Sequence, residues 1–299
     1  MATTVGASQA ANFIPEIWAA RALEVLRANV AAAKLVLTDS EIDSSFKVGD
    51  TLNVPYVGTF TANDKSAGAS VTLQAPTDGT IAVVLNKHKE VSFIVEDIAQ
   101  AQANQSIMDR YVEAAVPALA EAIETAILAE YANAGGNVGT YGTSTTAANL
   151  LSIRQKLNDA KAPQTGRAVI LSTKDEIALL TDSALASYFA YSKPETIASG
   201  AVGHVYGFDL YMSQLIPVTA GTPNQTNNLA FQRNGIILAM RGMPIPDGCR
   251  GAVVRDPVTG LAVRVISMYN PTYLGVQTTI DVLFGVKTAR ASHIVLAKS

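Results

Sequence analysis

The chain has 299 residues, which is long enough for one large domain or two smaller ones, each with a buried core. Only 16% of the residues are charged, against roughly 25% in an ordinary soluble protein, and this shortage favours a subunit that buries much of its exterior against neighbours. The net charge of -3 excludes a basic field for tight nucleic-acid binding, and the single cysteine, Cys249, excludes an intrachain disulfide and a cysteine zinc site.

The first predicted element is an amphipathic helix that begins near Pro15, a residue suited to the first turn of a helix. Glu16 follows in the turn where negative charge favours the helix dipole. Apolar residues recur at helical spacing from Ile17 to Val30, so the helix is predicted to continue to about residue 33. Its apolar stripe requires a partner surface.

A long two-stranded arm is predicted for residues 39–90. Short alternating runs at 51–60 and 80–85 flank a polar stretch around 63–68 that contains glycine. Pro55 cannot donate a backbone hydrogen bond, which suits an edge strand. Because an isolated hairpin of this length is marginally stable in water, the arm is predicted to lie on another subunit.

The longest predicted helix follows a strand at residues 91–95 and runs from about residue 96 to 133. Pro117 lies inside this helix and should bend it, because proline removes a backbone hydrogen bond and crowds the preceding turn. Gly135 and Gly136 end the helix and begin a loop that is predicted to reach residue 146.

A second lobe of mixed texture is predicted after this loop. Its elements, in chain order, are a helix at 147–160, a strand at 167–171, a helix at 174–181 capped by Ser172 or Thr173, a strand at 206–213, an exposed loop at 217–228 and a strand at 229–240 that leads into an apolar helix or strand. Strong alternation from residue 252 onwards predicts two long antiparallel strands with their turn at about 270–273.

The order of these elements resembles that of the major capsid proteins of tailed bacteriophages, which share the fold named after phage Hong Kong 97. The resemblance covers nearly the whole chain and is carried by the segments VSFIVEDIAQAQANQSIMDRYVEAA, NNLAFQRNGIILAMR, VRVISMYN and TTIDVLFGVKTAR. It implies an α+β fold with an N-terminal arm at 1–38, a long two-stranded extended loop at 39–90, a peripheral domain with its spine helix at 91–137 and 245–288, and an α/β axial domain at 138–244 and 289–299.

The same resemblance implies a structural protein that assembles through pentamers and hexamers into an icosahedral head around double-stranded DNA, which it contacts only by non-specific proximity. A separate scaffolding protein is implied, because the chain has no room for a large scaffolding region or an inserted axial domain. A portal is a further expected partner, and such shells also accept decoration proteins. Residues 1–11 lack a secretory signal and no apolar stretch reaches roughly 20 residues, so we expect no membrane partner, assembly in the host cytoplasm and a final place in the virion.

Candidate contacts between subunits lie on the projecting parts of the predicted fold. They are Trp18, Leu26, Phe60, Asp64, Lys65, Tyr269 and Tyr273. Some members of the resembling family form lysine-asparagine crosslinks, and Lys65 lies at the corresponding tip of the extension. An activated lysine needs a desolvated pocket with a nearby acid, so an ordinary solvated lysine is the favoured interpretation.

The sequence predicts no catalytic, cofactor or metal site. The three histidines lack the spacing of metal ligands, and they are interpreted as solvated or packed: His88, His204 and His293. No G-x-S-x-G nucleophile motif occurs. Three carboxylates of the long helix are interpreted as solvated, or as paired with lysine or arginine across an interface: Glu121, Glu124 and Glu130.

Two other functions stay open at this point. An encapsulin-like compartment protein would share the fold but enclose an enzyme instead of a genome, and its neighbouring genes would differ. Less favoured is an α/β enzyme whose arm only holds a dimer together, which gel filtration would detect as a small oligomer.

Overall fold

A computed structural model describes residues 14–29, 31–38, 51–56, 60–68, 70–75, 78–96, 107–183, 185, 203–256 and 260–299. The start of the predicted extended loop at 39–50 and the predicted start of the long helix at 97–106 lie outside the described residues. Within the described part, both α-helices and β-strands are abundant, as the predicted α+β class requires.

The described residues contain four bounded α-helices and fifteen strands. The helices are α1 (Ile14–Asn29), α2 (Ile107–Leu128), α3 (Ala147–Asp159) and α4 (Thr173–Thr181). The strands are β1 (Leu37–Thr38), β2 (Thr51–Tyr56), β3 (Gly79–Val84), β4 (Lys87–Glu96), β5 (Gly136–Gly139), β6 (Arg167–Leu171), β7 (His204–Val205), β8 (Phe208–Met212), β9 (Val218–Thr219), β10 (Gln225–Gln232), β11 (Ile236–Arg241), β12 (Arg250–Arg255), β13 (Ala262–Asn270), β14 (Gly275–Thr288) and β15 (Ile294–Lys298).

Six strands form the hairpin sheet. Five of them follow the order β1-β11-β14-β13-β12, and the sixth, β4, also pairs with β14. The long hairpin β13–β14 is antiparallel from Arg264 opposite Asp281 to Asn270 opposite Gly275, which confirms the predicted strands and their turn. Every second residue of these strands faces the helices, because side chains alternate between the two faces of a strand. Ile280 and Phe284 are therefore fully buried.

Helices α1 and α2 cover the inner face of the hairpin sheet. Leu26 of α1 and Ile123 and Ile127 of α2 have no exposed surface and share one core with the sheet. The first helix ends at Asn29, and a separate 3-10 turn, Ala32–Lys34, follows it. The apolar stripe predicted from its spacing thus finds its partner surface within the same chain.

Seven strands form the mixed sheet, in the order β5-β15-β10-β6-β8-β7, with β9 paired to β10. Helices α3 and α4 cover one face of this sheet through residues such as Leu150, Leu157 and Leu179. The predicted cap Ser172 is confirmed, because its hydroxyl accepts from the amide of Asp175. Thr146, which was not predicted as a cap, accepts in the same way from the amide of Asn149. The predicted α/β texture of this part is confirmed.

Two predicted loops are partly wrong, because strands occur within them. The segment 135–146 contains β5, and the segment 217–228 contains β9 and the start of β10. Asn227 and Asn228 suggested an exposed loop, but both are buried, because Tyr141 and Asp175 form hydrogen bonds with their amide groups. Residues 229–240 form two strands separated by the 3-10 turn Arg233–Gly235.

Candidate assembly surfaces

The arm, which consists of β2, residues 60–75 and β3, has a base with a small core of its own. Strands β2 and β3 pair from Thr51 opposite Val84 to Tyr56 opposite Gly79. Leu52 and Val83 are buried against Ile237 of the hairpin sheet. The base of the arm is therefore held on the body of its own subunit by apolar packing.

The arm crosses the hairpin sheet at a glycine. A Cβ atom placed on Gly285 would lie 2.2 Å from the carbonyl oxygen of Val84 and 3.3 Å from the Cα of Leu85. Only a residue without a side chain lets the two backbones approach this closely. Gly285 therefore sets the point at which the arm leaves the sheet.

The tip of the arm, residues 60–75, is exposed at every described position. Leu73 is 91% exposed, Phe60 66% and Val71 64%, so three large apolar side chains face solvent. The amide of Gln74 bonds the backbone of Thr61 through both its oxygen and its nitrogen. No backbone hydrogen bond joins residues 60–68 to residues 70–75. The described part of the tip therefore has neither a core nor strand pairing.

Among the predicted contact residues, Phe60, Asp64 and Lys65 lie on this exposed tip. Val71 and Leu73 were not among the predicted contacts, although polar and apolar residues alternate at 70–74, which was a usable signal. The tip therefore presents more apolar surface than the predicted residues alone.

A second apolar patch lies at the turn of the β13–β14 hairpin. Tyr269 and Tyr273, both predicted contacts, are 50% and 62% exposed. Met268 and Leu274 beside them are also exposed, although neither was predicted. Four large apolar side chains are thus exposed near one hairpin turn, on both faces of the strand, and are candidates for a protein-protein contact.

Helix α1 changes the set of candidate contacts. Leu26 has no exposed surface in the single chain, because it packs in the main core, and its role as an intersubunit contact stays a prediction. Trp18 is half-buried against the same core. Ile17 on the opposite side is 62% exposed and offers the apolar surface that Leu26 lacks.

A buried ion pair on the outer face of the hairpin sheet joins neighbouring strands. Nε of Arg264 donates to Oδ1 of Asp281 at 3.0 Å, and Nη2 donates to Oδ2, while both side chains are largely shielded from water. His88 of β4 lies 3.1 Å from the same Oδ2. This cluster links β13, β14 and β4. His88 is half-exposed and lies beside a carboxylate.

A completely buried carboxylate joins four segments around the mixed sheet. Asp175 accepts hydrogen bonds from the amide of Thr145 at 2.8 Å, the hydroxyls of Ser172 and Ser299 at 2.6 and 2.7 Å, and Nδ2 of Asn228 at 2.7 Å. Burial acts to raise the pKa of Asp175, but these four donors outweigh it and hold the pKa below its ordinary value. We call these five residues the Asp175 hub.

The helix carboxylates have partners other than those predicted. Glu130 accepts from the amide and hydroxyl of Thr288 and from Asn133, so it ties the end of the long helix to β14 within one chain. Glu124 is buried, whereas Glu121 is exposed. Glu130 thus joins the end of the long helix to the sheet, while Glu121 is solvated as predicted.

The described residues contain no group of three or more histidine, cysteine, aspartate or glutamate side chains that could hold a metal ion. No helix in this part of the chain is both long and apolar enough to cross a membrane.

Comparison with known proteins identifies the fold. No protein-family model and no curated protein matches the sequence. The chain is similar to a solved structure from Mycobacterium phage Che8, with a TM-score of 0.66 and 20% identity over 90% of each chain. It is also similar to the capsid of cyanophage P-SCSP1u, with a TM-score of 0.66 and 14% identity over 90% of this chain and 87% of that one.

A third similar structure is a virus-like particle from Pyrococcus furiosus, with a TM-score of 0.53 and 12% identity over 95% of this chain and 99% of that one. Likenesses at these identities establish the fold. The predicted Hong Kong 97-type capsid fold is therefore confirmed, while the predicted domain boundaries and intersubunit contacts stay predictions.

Proposed function

Because the chain has the fold of phage capsid subunits, we propose that it is the major capsid protein of a tailed bacteriophage. It assembles with copies of itself, through pentamers and hexamers, into an icosahedral head that encloses double-stranded DNA. Its role is structural and needs no catalytic residue. The net charge of -3 fits a shell that surrounds DNA without binding it tightly.

The observation that carries this proposal is the arm tip, which exposes the three apolar side chains of Phe60, Val71 and Leu73 to solvent. Burying a side chain such as Phe60 or Leu73 fully contributes about 1.5–3 kcal/mol. In a closed shell every subunit both donates and receives an arm, so this modest term recurs at each contact. A second copy of the chain is the partner that supplies it.

The hairpin-turn patch provides a second contact in this proposal. Met268, Tyr269, Tyr273 and Leu274 are exposed at the end of a long, well-paired hairpin, which holds them in a fixed position. Aromatic side chains on rigid elements are common anchors of protein interfaces. The mixed sheet with α3 and α4 then corresponds to the axial domain, which closes pentamers and hexamers.

The remaining partners follow from the same assignment. A separate scaffolding protein and a portal take part in assembly in the bacterial cytoplasm, and a decoration protein is compatible with the finished shell. The mature protein resides in the virion.

Deletion of residues 61–70 tests the proposal, because these residues belong to the tip and not to the packed base. We expect the variant to fold with unchanged circular dichroism and melting temperature but to form no closed particles in electron micrographs. A matched control inserts two serines at Gly221, in an exposed loop far along the chain. Normal shells from the deletion variant would refute the role of the arm.

A compartment shell of the encapsulin type is the second candidate, supported by the likeness to the Pyrococcus furiosus virus-like particle. The contents of purified particles distinguish the two functions. Packaged double-stranded DNA supports a phage head, whereas a co-purified enzyme supports a compartment. A small, stable oligomer in gel filtration would instead support the enzyme with a dimerisation arm.

A further inference from the structure

The chain passes between the hairpin sheet and the mixed sheet at three places that lie against each other. These are the segment at Ala134 and Gly135 after the long helix, the 3-10 turn Arg233–Gly235 between β10 and β11, and residues 289–293 between β14 and β15. We call them together the crossing junction. Any change in the angle between the two sheets must pass through it.

Backbone hydrogen bonds hold the crossing junction together. The amide of Gly135 donates to the carbonyl of Ala291 at 2.8 Å, and the amides of Ala289 and Arg290 donate to the carbonyl of Gly235 at 2.8 and 3.2 Å. A Cβ atom on Gly135 would lie 2.6 Å from the Ala291 oxygen. The three segments are therefore in close backbone contact and share a small set of bonds.

His293 is buried at the centre of this junction. The residue is only 5% exposed, and its Nδ1 has no hydrogen-bond partner among the described residues. The carbonyl oxygen and Cβ of His293 lie 3.3 and 3.4 Å from the Cβ position of Gly235. An unpaired buried ring nitrogen is unusual, because buried polar atoms in native proteins nearly always have partners.

The charged groups around His293 are mainly positive. Arg290 precedes it in the same turn, and Arg167 of β6 is close enough to act on its charge. Arg167 is itself buried and uses its guanidinium to bond the carbonyls of Ala162 and Pro163 at 2.7 and 2.8 Å, so it is held in place. Arg154 acts on Arg167 in turn.

The other elements of the junction offer no free acid to His293 among the described residues. The turn that contains Gly235 contributes Arg233, whose Nε lies 3.5 Å from the carbonyl of Val36. The end of the long helix contributes Glu130, but Thr288 and Asn133 already bond its carboxylate. A proton on Nδ1 would add a positive charge near Arg290 and Arg167, where the carboxylate of Glu130 already accepts other hydrogen bonds.

We propose that the crossing junction is a proton-sensitive lock, in which neutral His293 keeps the three segments closed and its protonation loosens the backbone bonds between them. A buried cation without a partner is costly, and local opening of the junction brings it to water. The inference concerns the isolated subunit and holds or fails independently of shell assembly.

The direction of the effect follows from linkage. Burial, together with Arg290 and Arg167, lowers the pKa of His293 from its ordinary value of 6.5. The folded junction therefore binds the proton less tightly than the opened one. Its full stability is present above pH 6.5 and decreases as the pH falls below that value.

Hydrogen exchange of the isolated subunit tests the lock. The reporters are the amides of Gly135, Ala289 and Arg290, whose bonds close the junction. After correction for intrinsic exchange, we expect their protection to fall, by at most about thirtyfold, between about pH 7.5 and about pH 5. Amides inside α3 should keep their protection over the same range.

His293→Phe keeps a buried ring that cannot take up a proton, so the pH dependence at the junction should disappear. His204→Gln is the control, because His204 is exposed and pairs with Asp209, and it should leave that dependence intact. If His293→Phe does not fold, a histidine NMR titration of the unaltered subunit replaces it. The proposal is overturned if junction protection is independent of pH, if His293→Phe keeps the dependence, or if His293 titrates like the exposed histidines.

Discussion

Replacing Asp175 by asparagine probes the buried hub that joins the segments around the mixed sheet. The change preserves shape but converts one carboxylate oxygen into an N–H donor. If that nitrogen faces the three side-chain donors, the hydroxyls of Ser172 and Ser299 can rotate to accept from it, but Nδ2 of Asn228 cannot. If the amide turns the other way, it faces the backbone N–H of Thr145 instead.

Either orientation leaves one fixed donor without an acceptor at a site with no exposed surface. An unsatisfied buried donor costs about 1–3 kcal/mol, and the other bonds lose the strengthening that a charged acceptor provides. Removing a buried charge offsets part of this loss. We therefore expect Asp175→Asn to lower the free energy of unfolding by about 3 kcal/mol.

Thermal and urea unfolding of the isolated subunit measure this effect. At about 2–4 °C per kcal/mol, the midpoint should fall by about 6–12 °C. Asp209→Asn is the matched control, because Asp209 pairs with His204 at the surface, and it should change stability by less than about 1 kcal/mol. Equal midpoints for the two variants would refute the hub as a source of stability.

The same substitution has a signature in acid. Because the folded-state pKa of Asp175 lies below the ordinary 3.8, the stabilisation by its charge is present above that pH and is lost as the pH falls through the folded value. The asparagine variant lacks this component. Its stability should therefore decrease less than that of the unaltered chain when the pH is lowered below 3.8.

Three further substitutions test other parts of the molecule. Arg264→Met leaves the buried carboxylate of Asp281 without its main partner and should cost about 3–5 kcal/mol in urea unfolding. Gly285→Ala forces a methyl group into the 2.2 Å approach to the Val84 oxygen, so it should cost about 2 kcal/mol and speed proteolysis of the arm. Leu73→Asp should change stability by less than about 0.5 kcal/mol, yet prevent particle formation in electron micrographs.

Matched variants separate these effects from general damage. The double variant Arg264→Met with Asp281→Leu removes both charges and should recover part of the lost stability, so equal losses in the single and double variants would contradict the ion-pair argument. Gly136→Ala places its methyl 3.5 Å from the flexible Lys156 side chain and should be tolerated. Ser70→Asp adds the same charge to the tip without removing an apolar contact, and shells should still form.

Regular patterns in the sequence were sufficient for the elements whose stability is local. The β13–β14 hairpin was predicted because apolar and polar residues alternate along both strands and Pro271 marks the turn. Helix α4 was predicted from its cap, Ser172, whose hydroxyl accepts from the amide of Asp175, whereas the cap of α3, Thr146, was not predicted. These features depend on the periodicity of apolar residues and on hydrogen bonds between residues close in sequence.

Features that depend on distant partners were not predictable in this way. Asn228 belongs to a polar run that suggested an exposed loop, yet it is buried because Asp175, 53 positions away, accepts its amide proton. Leu26 was predicted as a contact from the helical spacing of its segment, but it is buried because the long helix packs against it. His293 differs from an ordinary packed histidine through the burial of its unpaired Nδ1 and through Arg167, which the fold brings near it.

The arm tip exposes Phe60, Val71 and Leu73 to solvent, and in the proposed shell sister copies bury these side chains. Electron microscopy and analytical ultracentrifugation of the purified chain, expressed with its genomic neighbours, test this assembly. We expect closed particles of uniform size whose arm-tip amides are protected from hydrogen exchange. A stable monomer at high concentration, with residues 60–75 exchanging freely, would show that the arm does not join subunits.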